Sequence, residues 1–123
     1  ISVEAQMNCM HSVNTRQWLA NFPGGMMFFL GCHLIDLILQ IQGMPERIIA
    51  LSKSTGVDGV HAEDYGMAIF EYKNGVSFAK TSAYELGGYA RRQFVVTGTK
   101  GTKIGRNRVP TTPTTTKINF EPF

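Results

Sequence analysis

The sequence predicts an α+β fold built on an open, mixed or largely antiparallel β-sheet, with helices on one face. Three observations carry this. The chain opens on an alternating apolar/polar run, continues through one long apolar segment at 26–42, and then reads as strand-like runs in succession. Helices grouped together, rather than alternating with strands, belong to that class.

Each element has a local reason. Ile1, Val3, Ala5, Met7 and Cys9 alternate with Ser2, Glu4, Gln6 and Asn8, the period-two pattern of a half-buried strand. The chain has no initiator methionine and begins inside this pattern, so it is expected to be a piece of a longer protein. A short helix is expected over 15–21, capped by Asn14 or Thr15 and stopped by Pro23. Met26 to Gln42 reads as a long helix, with Gly43 as its left-handed cap and Pro45 blocking continuation. Strands follow at 47–54, 65–72, 76–85 and 92–98, with a further one at 103–109. Asn74-Gly75 predicts a type I′ hairpin turn, because both residues tolerate positive φ. The Thr/Pro-rich stretch 110–116 reads as an extended linker, and KINFEPF ends the single domain 1–123.

The run 65–72 raises a packing problem. Ala68, Phe70 and Tyr72 occupy one face, and Met67, Ile69 and Glu71 the other, so both faces are largely apolar. One layer of helices covers one of them. The second is expected to meet another domain or a second copy of the chain, which predicts a homo-oligomer.

Composition excludes several classes. The formal charge of +3 comes from scattered basic residues, with Arg91-Arg92 the only adjacent pair, so no nucleic-acid surface is expected. Two cysteines, Cys9 and Cys32, make neither a disulfide framework nor a zinc motif. Cys32, inside the apolar segment, is expected to act as a small buried hydrophobe, and free thiols suit a reducing compartment such as the cytoplasm. His11 and His61 lack ligand spacing and read as surface residues, with no metal expected. No secretory signal opens the chain, and Gly31, His33, Asp36 and Gln40 interrupt the apolar run, so no membrane span is expected.

The interruptions themselves are informative. On an α-helix, Phe29, His33, Asp36 and Gln40 fall at i, i+4, i+7 and i+11, which is one face. A core histidine bonded to Asp36 or to backbone would give the same letters. So would a histidine presented into a cleft, able to donate or accept a proton near neutral pH.

The segments WLANFPGGMMFFLGCHLIDLILQIQGMPERIIAL, EDYGMAIFEYKNGVSFAKTSA and FVVTGTKGT appear in that order. Together, over residues 15–103, they resemble the C-terminal domain of the Gfo/Idh/MocA oxidoreductases. The resemblance implies a two-domain parent enzyme acting on a sugar, polyol or related hydroxy compound. Its N-terminal Rossmann domain would bind NAD or NADP, and this second domain would supply the sheet, the substrate contacts and the oligomer interface. Gly98, Gly101 and Gly105 read as turn residues, so this piece alone is expected to hold no dinucleotide and to be inactive. His33 matches the family's acid/base histidine and Asp36 the acidic residue one turn later, in a supporting role. In that family the segment holding Trp18 approaches the substrate pocket, with a core tryptophan as the other reading, and Arg16 reads either as a contact to an acidic or phosphorylated substrate or as a solvated loop arginine. Phe29 departs from the pattern: dehydrogenase members usually carry aspartate four residues before the histidine. That departure leaves a non-catalytic scaffold as the alternative.

Overall fold

The computed structural model describes residues 1–106. In chain order these form β1 (Ser2–Asn8), α1 (Val13–Leu19), a π-helical turn (Met27–Gly31) running directly into α2 (Cys32–Gln42), β2 (Arg47–Lys53), β3 (Tyr65–Tyr72), β4 (Gly75–Ser82), β5 (Gln93–Gly98) and β6 (Gly101–Arg106). The strands make one six-stranded sheet in the order β2-β3-β4-β1-β5-β6. β1 runs parallel to β4, and every other neighbouring pair is antiparallel. The sheet is therefore mixed, and the fold is α+β.

One face of the sheet is shaped to receive α2. Ala50, Ala68, Ala79 and Ala5 stand side by side across four strands, followed in register by Phe94. A row of single methyl groups lets a helix approach closely, and larger side chains beside the row fill the remaining space. Leu34 and Ile38 of α2 enter a core with Val3, Phe70 and Phe94. Gln42 fastens the far end of the helix: its amide donates to the Ile1 carbonyl, and its side-chain carbonyl accepts from the Ser77 hydroxyl. Ser77 in turn accepts from the Val3 amide at 2.8 Å. A second core of Cys9, Leu19, Met26, Val60, Ala62 and Ala83 lies beyond the sheet's end, with Phe29 and Leu30 against it.

The other face keeps an apolar surface. Ile49, Ile69 and Phe78 are neighbours across β2, β3 and β4, and Leu51 pairs with Met67. Leu51 and Val76 remain more than half exposed. Glu4 and Gln6 on β1 break the surface at its centre.

Local details depart from expectation in three places. Helix α1 begins earlier and ends at Leu19: the cap is Ser12, whose hydroxyl accepts from the Thr15 amide at 3.2 Å. The β3–β4 turn is made by Lys73-Asn74, and Asp58 is the only non-glycine with positive φ among the described residues, so the type I′ turn is not adopted. Gly75 is needed for a different reason. A Cβ there would stand 2.7 Å from the Ile1 carbonyl oxygen, so glycine admits the start of β1. The last strand begins at Gly101, and 107–109, the linker 110–116 and the run 117–123 lie outside the described residues.

Candidate functional site

The start of the long helical segment is set by two glycines. Gly24 and Gly25 have φ of +81° and +46°. Gly25 sits against the Glu63 carbonyl, which also accepts from the Met26 amide at 2.9 Å. This contact sets the entry of the π turn. π turns are uncommon and recur at functional sites, because the wider turn re-aims the side chains that follow. His33 follows it by two residues and is exposed. Of the two readings left open for His33, the buried one is thereby excluded.

Asp36 turns away from His33. Its carboxylate accepts from the Gln40 amide at 2.8 Å, one turn on, and both residues are exposed. Its contact is thus to the helix surface and not to the imidazole. Leu37 and Ile41 of the same helix are partly exposed. Cys32 is exposed as well, which corrects its expected burial; the buried thiol is Cys9. Burial pushes the Cys9 thiol up from its usual range, with Arg92 opposing more weakly, so that sulfur is held as an unreactive thiol.

Trp18 is brought to the turn that precedes His33. Its ring meets Phe29 edge-on at 5.5 Å and Phe22 edge-on at 4.7 Å. Phe22 stacks on Phe28 at 5.7 Å. Trp18 stays 47% exposed and Phe28 60%. Phe22 and Phe28 were not singled out from the sequence, though the density of rings at 18, 22, 28 and 29 was a visible signal.

Arg16, read as a substrate contact or a solvated loop arginine, is held inside the fold. It is 1% exposed, and its guanidinium donates to the carbonyls of His11 and Val57 and to the Asp58 carboxylate. It also lies over the Tyr84 ring. Asp58 occupies a left-handed conformation between Gly56 and Gly59, and Arg16 pins that tight loop to α1. The burial has a simple cause. A planar group with five donors satisfies buried loop carbonyls better than any other side chain. Asp64 clamps the same loop's other end, fully buried and accepting from the Thr55 amide and hydroxyl at 2.8 and 2.7 Å.

His11 is half-buried, not a surface residue, with its ring 6.0 Å from Phe29. Burial lowers its pKa most, and the cations of Arg92 and Arg16 lower it further. The folded chain therefore refuses a proton that the unfolded chain accepts once pH falls through the ordinary histidine value of about 6.5. Unfolding free energy should fall as pH drops through that value and level off below the depressed folded pKa. Denaturant titrations from pH 8 to 5 check this. His11→Gln should flatten the slope, and an unchanged slope would refute the assignment.

The glycines expected to be turn residues lie on the β5–β6 hairpin. Gly98 and Gly101 flank the two-residue turn of the β5–β6 hairpin, and Gly105 lies on β6. No helix starts there to offer its amides to a phosphate. At the Gly24-Gly25 turn the amides of 25, 26 and 27 are already bonded to the carbonyls of Phe22, Glu63 and Gly24. Among the described residues, no three His, Cys, Asp or Glu side chains are grouped to hold a metal ion. None of their helices is long and apolar enough to cross a membrane.

The fold has counterparts among known proteins. A family profile for the GFO/IDH/MocA C-terminal domain matches residues 1–103. The chain belongs to that family. Among solved structures it is similar to a protein described as an oxidoreductase from Klebsiella pneumoniae. Identity there is 27% and the TM-score 0.62, over 84% of this chain and 26% of that one. A protein described as an NADPH-dependent oxidoreductase from Desulfitobacterium hafniense shares the fold at 23% identity and TM-score 0.68, covering 87% of this chain and 31% of that one. An oxidoreductase from Agrobacterium radiobacter, solved with NAD+, L-tartaric acid and magnesium, shares it at 18% identity and TM-score 0.59, over 85% and 36%. No match to a curated protein was found. The GFO/IDH/MocA domain described here thus spans about a quarter to a third of the length of these solved relatives.

Proposed function

We propose that this domain is the substrate-binding half of an NAD(P)-dependent oxidoreductase acting on a small hydroxy compound, a sugar, polyol or relative. The observation that carries the reading is an exposed His33 two residues after a π turn, on the helical segment that also carries the exposed Phe28, in a domain of this family. Acceptance of the hydride belongs to a nicotinamide nucleotide. The domain's own share is to bind the substrate and move a proton at the His33 imidazole, on or off the reacting hydroxyl.

The full-length parent tests this. It should bind NAD or NADP and oxidise a hydroxy substrate, and His33→Gln should lower kcat by roughly 10²–10⁴-fold without abolishing nucleotide binding. Intact turnover in the variant would refute the role of His33. Phe29 favours a second reading, a non-catalytic scaffold, and a parent that fails to bind either nucleotide would decide for it.

The apolar open face supports association of two copies through β2, β3 and β4, since Ile49, Leu51 and Val76 stand exposed there. Light scattering at micromolar concentration should give a dimer or larger, and Leu51→Lys should shift it toward monomer. A monomer throughout would refute this.

A further inference from the structure

We propose that the ring surface one helical turn before His33 selects an uncharged hydroxy compound with an apolar face, an aryl or alicyclic alcohol, over polyhydroxylated or phosphorylated ones. The inference rests on the reading of His33 as the proton-transfer group and narrows its substrate.

Two observations meet here. The rings of Phe28, Phe22, Trp18 and Phe29 form an unbroken train, each centroid within 6 Å of the next, and Phe29 is one turn before His33. Trp18 and Phe28 at 47% and 60% exposure leave wide ring surface open to a ligand. The second observation is the scarcity of charge. Between Val13 and Gln42, Arg16 and Asp36 are the only Lys, Arg, Asp or Glu residues. Arg16 is buried and shared among His11, Val57 and Asp58, and Asp36 is bonded to Gln40. A phosphate laid on this strip meets no available cation from it.

Extra hydroxyls fare little better. Each one desolvated against a phenyl or indole ring without a partner weakens binding. A single hydroxyl directed to the imidazole, with a carbon face lying on the rings, loses nothing in this way and gains the burial of apolar surface. Phe29 is the pivotal residue, because it extends the ring surface to the turn before the imidazole.

The test uses the full-length protein with NAD+ and NADP+. The probes are 1-phenylethanol and cyclohexanol against myo-inositol, glucose and glucose 6-phosphate. The expected result is a kcat/KM about tenfold or more higher for the first pair. Phe28→Ser, at an exposed position, should raise KM for 1-phenylethanol and leave kcat in place. Phe29→Asp should shift preference toward the polyols. A wild-type preference for the polyols or the phosphate, with His33→Gln still lowering kcat as above, would overturn the substrate class and leave the reading of His33 standing. Absence of nucleotide binding would overturn both. Loss of stability in full-length Phe28→Ser, with no change in KM, would show that the rest of the parent covers these rings, and would also overturn the proposal.

Discussion

Arg16→Met is expected to lower the unfolding free energy by about 3 kcal/mol or more, a large part of the ~5–15 kcal/mol available to a domain of this size. The carbonyls of His11 and Val57 lose their donor, at a cost of roughly 1–3 kcal/mol for each that stays buried. Asp58 adds less, because its side chain is 48% exposed and water replaces the lost partner. Methionine nearly fills the space, which isolates the hydrogen bonds from the packing. Arg16→Lys should recover little, since a point-like ammonium cannot reach three acceptors arranged around a planar fork. Thermal melts should show a drop of roughly 10–20 °C. A loss below about 1 kcal/mol in denaturant titration would show that the guanidinium is not the pin of the 56–59 loop.

Gly25→Ala is expected to be comparably damaging, at about 3 kcal/mol. The residue combines φ of +46° with a Cβ position that runs into the Glu63 carbonyl, an atom of backbone that cannot rotate away. Gly87→Ala is the control. Its φ and ψ are +71° and +14°, the left-handed region, with nothing within 4 Å of the added carbon, so it should pay only the left-handed conformational cost, roughly 1–2 kcal/mol. If the two substitutions cost the same, the Glu63 contact does not govern the entry to the π turn. The comparison bears on function, because that turn aims the segment carrying His33.

Much of the fold was legible because its signals are local. Alternation over 1–9 marked β1, and the grouping of helices ahead of consecutive strands marked the class. His33 could be singled out as a break in an apolar run. Its exposure could not, because a π turn changes how the following residues face and leaves no periodic trace. The burial of Arg16 was not legible for a related reason. A buried arginine and a ligand-binding one are the same letter, and its acceptors at Val57 and Asp58 lie 41 and 42 residues away.

By itself, then, the sequence determined the α+β class, the strand and helix segments, the two-sided apolarity of the sheet and the family. These rest on patterns repeated within a few residues. Only the tertiary structure decided which histidine faces solvent, which cysteine is buried, and that Arg16 is a pin and Trp18 a neighbour of Phe29. Those outcomes depend on which distant groups meet in three dimensions, where one carbonyl or one ring across the fold settles what a side chain can touch.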